Sequence, residues 1–327
     1  MPPSYGTKAY WDTRFQHEDN YEWLLPADSL NAVVQQAMLA CQRSYGSSDA
    51  ASPPPQQHIL YIGCGSSDLS FQLRDLVASP NQITNVDYSS AAVKKCRLRE
   101  SEALFSTTAD AGSFRALKGS DSMRMYWETA DLLSAESIAR LGMRRQTQPA
   151  AGEDGPDDDG PFFFDIVADK STSDAISCAE DTSVLLPFIT PRRVQQQQTN
   201  NNAAAASRIS PALVDPMYLL AVHMAVLARP RTGRWCALSY SDERFSFLDG
   251  GSSGSSGNSG SLAEAEAPAD QNLERRFPDP RRFWIVERKE RVTVAPPAAT
   301  TGSGGHVVHQ PEIAHWLYVL VRTDEVP

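Results

Sequence analysis

The chain has 327 residues, 41% of them hydrophobic, with 30 basic and 40 acidic side chains and a net charge of −10. That length holds a sizeable core in one large or two small domains. The acidic balance disfavours a general nucleic-acid binder, which usually shows a basic face, and no run approaches the ~18 apolar residues of a membrane span.

Residues 1–57 come before the first strand. Tyr5, Tyr10, Trp11 and Phe15 make one aromatic group, and Tyr21 and Trp23 make a second. A helix is predicted from Asp28 or Ser29 to about Cys41, with Leu30, Val33, Val34 and Met38 facing inward. A polar, Pro-rich link follows over 44–57. The aromatics ahead of the first strand read as packing or as a lid. Asp12 stands early and no apolar signal core is visible, so a cytoplasmic location is expected.

The chain is organised around residues 58–87. An apolar run, His58-Ile59-Leu60-Tyr61-Ile62, leads into Gly63-Cys64-Gly65-Ser66-Ser67-Asp68. Leu69, Leu73 and Leu76 then share one helical face. A second strand-like run, Gln82-Ile83-Thr84-Asn85-Val86, ends at Asp87. Strand, glycine turn, helix, strand and acid form the first βαβ unit of a nucleotide-type fold. Glycine allows the turn its unusual φ angles and lets backbone approach a ligand closely. Asp87 is placed to accept hydrogen bonds from two ribose hydroxyls. Asp68 occupies the third glycine position of the dinucleotide motif. An acid there would repel a pyrophosphate and suits a cationic sulfonium ligand, so S-adenosyl-L-methionine is favoured over NAD.

Further along, residues 89–103 are predicted helical with Ala92, Val93, Cys96 and Leu98 inward. Residues 124–127 read as a third strand, with Asp131 following it as a candidate adenine contact or helix cap. A solvated acidic insertion is expected at 146–160. The apolar run at 162–169 is the fourth, buried parallel strand, and it places Asp169 and Lys170 beside the reacting centre. A Gln/Asn/Ala tract at 195–206 reads as a disordered insertion. A helix follows with Asp215 as N-cap, Pro216 in the first turn, and Met217, Leu220, Met224 and Leu227 in register. His223 on it reads as a surface or core histidine. Residues 233–240 are the fifth strand, and a Gly/Ser-rich, polar insertion is expected over 250–278. Residues 283–294 and 315–321 look like a closing antiparallel pair. His306 and His309 have a metal-like spacing but no nearby cysteine or carboxylate pair, so no metal is expected. The five cysteines, Cys41, Cys64, Cys96, Cys178 and Cys236, contain no CxxC pair and read as reduced thiols.

The segments Tyr10-Trp11-Asp12-Thr13-Arg14-Phe15, Tyr21-Glu22-Trp23, Gly63-Cys64-Gly65-Ser66-Ser67, Asn85-Val86-Asp87-Tyr88 and Asp169-Lys170-Ser171-Thr172-Ser173-Asp174, in this order, resemble the seven-β-strand lysine methyltransferases. The closest group acts on translation elongation factor 1-alpha, and a sister group acts on mitochondrial citrate synthase. The resemblance covers most of residues 5–180. It implies a Rossmann-like α/β fold: a seven-stranded, mostly parallel sheet of order 3-2-1-4-5-7-6 with helices on both faces. It implies that Trp11, Phe15 and Trp23 form a lid on the methionine part of the cofactor and that Gly63 and Gly65 line the turn. It further implies that Asp87 holds the ribose, Tyr88 stacks on adenine, Asp131 and Leu132 edge the adenine, and Lys170 sits near the methionine moiety. Two departures lie where substrate would enter: Ser171-Thr172-Ser173 after the lysine, and Ser241-Asp242-Glu243-Arg244 after the fifth strand.

The sequence therefore leads to an N-terminal lid and helix over 1–57 and a methyltransferase domain over 58–327. The expected activity is S-adenosyl-L-methionine-dependent methylation of a protein lysine, with elongation factor 1-alpha as the implied partner and neither nucleic acid nor membrane. Asp169 is the candidate for orienting the amine. A non-catalytic partner protein that keeps the fold, and an NAD-linked oxidoreductase, are the alternatives.

Overall fold

In the computed structural model, which describes residues 3–44, 56–105, 124–143, 162–186, 188, 210–249, 277–294 and 313–327, the sheet grows outward from β1 (Ile59–Ile62). Leu60 and Ile62 enter one core cluster, while Ile59 and Tyr61 enter the other on the opposite face. A strand buried on both sides must be apolar throughout, which is why this run shows no alternation. β1 pairs in parallel with β2 (Ile83–Asp87) and with β4 (Ile166–Lys170). β3 (Tyr126–Thr129) extends the sheet beyond β2, and β7 (Arg234–Ser239) extends it beyond β4, both in parallel. β9 (Ile313–Arg322) then runs antiparallel to β7, and β8 (Trp284–Val294) antiparallel to β9.

The order is β3-β2-β1-β4-β7-β9-β8. It departs from the expected 3-2-1-4-5-7-6 in numbering, because an antiparallel hairpin of β5 (Thr182–Leu186) and β6 (Ser210–Val214) is inserted after β4. The sheet is mixed, with four parallel pairings and two antiparallel ones. The β5–β6 hairpin was not expected from the sequence. In each strand only the last residue, Leu186 or Val214, is buried, and Leu185 and Leu213 are 65% and 63% exposed.

Seven helices among the described residues flank the sheet or lie across its carboxyl edge: α1 (Lys8–His17), α2 (Asp28–Ser44), α3 (Leu69–Leu73), α4 (Ser90–Phe105), α5 (Ala135–Gly142), α6 (Thr172–Ile176) and α7 (Pro216–Leu227). α2, α3 and α4 contribute to the cluster on the Ile59 and Tyr61 side; α5 and α7 contribute to the other. α2 buries Leu30, Val33, Val34, Ala37, Met38 and Cys41, the stripe that its spacing predicts. Residues ahead of 58 thus share a core with β1. α7 is buried almost all round, with Tyr218 its exposed position. Its cap is built as read, since the Asp215 carboxylate accepts from the backbone N–H groups of Met217 and Tyr218 at 2.7 and 3.3 Å.

Two expectations are corrected. Leu98 is 59% exposed although Ala92, Val93 and Cys96 are buried. It lies two residues beyond Cys96, about 200° further round the helix. The insertion expected to run to 278 ends earlier, because Phe277 is buried with its ring 5.1 Å from that of Phe188. The insertions at 146–160 and 195–206 lie outside the described residues, as do His306 and His309. Among the described residues, no helix is long and apolar enough to cross a membrane, and no cluster of His, Cys, Asp or Glu could hold a metal.

Candidate functional site

The turn after β1 is where the sequence becomes a site. Gly63 and Gly65 have φ angles of +55° and +52°, a region that side chains with a Cβ rarely adopt. A Cβ on Gly63 would lie 2.1 Å from Thr172 Oγ1. That close approach lets the Thr172 hydroxyl donate to the Ile62 carbonyl at 2.8 Å, locking the start of α6 onto the end of β1. The backbone N–H of Gly65 donates to Asp87 Oδ2 at 2.8 Å, and that of Ser89 donates to Oδ1 at 2.8 Å. Both carboxylate oxygens keep acceptor capacity for a ligand. Burial pushes the Asp87 carboxyl up to about 6, against the pull of these two donors.

A cavity of about 1000 Å³ opens at the carboxyl ends of β1, β2 and β4, where ligands bind in open α/β sheets. Trp11, Phe15, Trp23, Gly63, Gly65, Asp87, Tyr88, Asp131, Leu132 and Lys170 all line it. One wall is the N-terminal arm. Trp11 stacks on Phe15 with centroids 5.7 Å apart and meets Trp23 at 5.9 Å. The Arg14 guanidinium lies 4.7 Å from the Tyr21 ring and 4.5 Å from the Trp23 ring, a cation held between π faces. The arm closes on the loop after α6 at Gly6, where a Cβ would come within 2.5 Å of the Ala179 Cα.

At the far end, Asp131 Oδ1 accepts from the Leu133 N–H at 2.9 Å and shapes the loop after β3. His223, buried on α7, reaches the Leu132 carbonyl from Nδ1 at 2.7 Å. Burial holds its pKa down to about 4. The ring is therefore neutral near pH 7, and Nδ1 carries the hydrogen that it donates.

Asp169 is elsewhere. It does not line the cavity. Its Oδ1 accepts from the N–H groups of Thr172 and Ser173 at 2.8 and 3.2 Å, and its Oδ2 accepts from Trp235 Nε1 at 3.2 Å. It builds the first turn of α6, and burial pushes its carboxyl up to about 6. The expected role of orienting an amine is corrected on this geometry. Asp68 is corrected too: its carboxylate pairs with Arg99 and does not line the cavity. The acid that sits against the turn is Glu22, which the sequence reading passed over. It accepts from Ser67 Oγ at 2.9 Å and from the Asp68 N–H at 2.7 Å, and pairs with the Lys170 ammonium. Burial lowers the Lys170 pKa despite that partner. Asp174 was also missed; it lines the cavity and accepts from Arg244 Nε at 2.9 Å and the Tyr240 N–H at 3.1 Å.

Comparison with known proteins places this geometry. Residues 55–149 match the family described as a methyltransferase domain. S-adenosyl-L-methionine is the cofactor that this match implies. Methyltransferase srdJ of Neurospora crassa is 30% identical over 183 residues, which cover 56% of this chain and 58% of that protein. The chain thus spans little more than half the length of that relative. Among solved structures, one is an S-adenosylmethionine-dependent methyltransferase from Anabaena variabilis, with 10% identity, a TM-score of 0.41, and coverage of 98% of this chain and 96% of that one. Another was solved in work on the conversion of a disulfide bond into a thioacetal group during echinomycin biosynthesis; it has 15% identity, a TM-score of 0.43, and coverage of 97% and 92%.

The residues present fit this cofactor. The glycine turn is a cradle that a Cβ would fill. Asp87 is a buried acceptor at the end of β2, and Ser171 Oγ is a buried hydroxyl with no hydrogen-bond partner among the described residues. Asp87, Tyr88, Asp131, Leu132 and Lys170, which the sequence reading assigned to such a ligand, line the same cavity.

Proposed function

We propose that the protein transfers a methyl group from S-adenosyl-L-methionine to a lysine amine of a protein. The observation that carries the transferase reading is the single cavity in which the glycine turn, buried Asp87 and the aromatic arm converge. When bound, the cofactor supplies an electrophilic methyl group on a sulfonium. The chain's share is binding, orientation and exclusion of water. Asp87 and the turn fix one end of the ligand, Lys170 the other, and Trp11, Phe15 and Trp23 cover it.

The acceptor reading rests on the resemblance to lysine methyltransferases and is supported by charge. Glu180, exposed at the cavity wall, puts a carboxylate at the mouth that attracts an incoming ammonium group. Elongation factor 1-alpha is the first protein to assay. Calorimetry should find S-adenosylhomocysteine binding and no binding of NAD. Tritiated methyl donor with a cell extract should label a polypeptide, and mass spectrometry should place the methyl group on lysine. Label confined to small molecules would overturn the protein acceptor while keeping the transferase.

A further inference from the structure

The backbone at Ser171 is unusual. Its φ is +68°, in the left-handed region, where glycine is the natural occupant. A strained residue persists only where its surroundings hold it, and here the hold is visible. The Ser171 N–H donates to the Leu238 carbonyl at 2.9 Å, and its own carbonyl accepts from the Ala175 N–H at 3.1 Å. Glycine would satisfy both backbone contacts without strain. What serine adds is a hydroxyl, and that hydroxyl is buried, with no hydrogen-bond partner among the described residues, in a side chain that lines the cavity. A buried hydroxyl left unpaired is costly, so two unfavourable features coincide on one side chain facing the candidate site.

The neighbours of Ser171 say which end of the cavity it faces. Thr172 lies against Gly63 of the turn, and Lys170 reaches Glu22 beside Ser67 and Asp68. Asp87 instead takes its hydrogen bonds from Gly65 and Ser89, at the end of β2. We propose that the Ser171 hydroxyl is a ligand contact, hydrogen-bonding the amino-acid end of the bound cofactor next to Lys170. This rests on the cofactor reading above. It assigns to Ser171 the discrimination between ligands that carry an amino-acid group and those that end at the thioether.

Two probes and two variants test it. S-adenosylhomocysteine carries the amino-acid end, and 5′-methylthioadenosine lacks it. Ser171→Ala keeps the Cβ and the strain but removes the hydroxyl. It should weaken S-adenosylhomocysteine by roughly fivefold to tenfold and leave methylthioadenosine affinity unchanged. Ser171→Gly should show the same selective loss with a melting temperature raised by roughly 2 °C, because it relieves the backbone. Equal losses for both ligands would mean that the hydroxyl only shapes the cavity, and unchanged affinities would mean that it touches no ligand; either result overturns the proposal. A parent protein that binds neither probe overturns the cofactor reading itself, whereas a parent that binds both beside an indifferent Ser171→Ala overturns this assignment alone.

Discussion

Asp87 and Asp169 are both buried carboxyls raised to about 6, yet one faces the cavity and the other is consumed by the fold. The difference lies in their donors. Asp169 receives two backbone N–H groups of α6 and an indole, whereas Asp87 receives two backbone N–H groups and keeps a side open to the ligand. Ribose hydroxyls prefer the ionised form, so ligand binding should release the proton of Asp87. S-adenosylhomocysteine affinity should therefore fall as pH drops through 6, by about tenfold per pH unit at the limit. Titration calorimetry at pH 7.5, 6 and 5 checks this, with Asp87→Asn weaker at every pH and flat across the series. For folding, the sign is opposite. A carboxyl raised in the folded state binds its proton more tightly there than in the unfolded chain. Its burden on stability is full above about 6 and disappears as pH falls toward 4. His223, held down to about 4, works the other way and costs stability as pH falls from 6.5. The position of Asp87 beside the turn was legible in the sequence because an acid at a strand end after a glycine turn has a fixed spacing. Asp169 was misread because the same strand-end logic cannot tell a helix-building carboxylate from a ligand-facing one.

Between elements, one side chain of the N-terminal arm reaches both the turn after β1 and the end of β4, beside the bonds that Lys95 of α4 makes to Glu18 and Asp19 of the arm. Glu22 collects the Ser67 hydroxyl, the Asp68 N–H and the Lys170 ammonium, bringing together the arm, the turn after β1 and the end of β4. Periodicity reveals nothing of such a link, since its partners lie 45, 46 and 148 residues from Glu22 in sequence. The aromatic residues of the arm were legible as a cluster, but the acid between Tyr21 and Trp23 was not. Glu22→Gln keeps the shape and removes the charge from Lys170. Amide hydrogen exchange over residues 3–25 should accelerate, while exchange in β1 and β4 stays at the parent rate. An arm that exchanges as slowly as the parent's would show that its other contacts, the aromatic packing and the Lys95 bonds among them, hold it without Glu22. The β5–β6 hairpin was illegible for another reason. Thr182, Val184 and Leu186 give only three inward positions, and the partner strand begins with Ser210-Pro211, a poor strand signal.

Across the whole molecule, the long polar stretches fall in connections whose ends the fold already brings together. Leu186 and Ser210 are register partners, so the chain that leaves β5 returns to the same point. Closing a loop between fixed ends depends only weakly on its length, about 0.6 kcal/mol for each doubling. Residues 195–206 are a Gln/Asn/Ala tract without apolar periodicity. Phe188, by contrast, reaches the Phe277 ring at 5.1 Å and the His223 ring at 5.9 Å, which places it in the packing beneath the cavity's far end. A cut that spares Phe188 should therefore be neutral, and one that removes it should not. Replacing 195–206 with a short Gly/Ser link should leave the melting temperature and S-adenosylhomocysteine affinity at parent values. Extending the replacement to include Phe188 should lower the melting temperature, because His223 and Phe277 lose an aromatic neighbour. Loss of folding in the shorter replacement, read by circular dichroism, would mean that the tract contributes to the core.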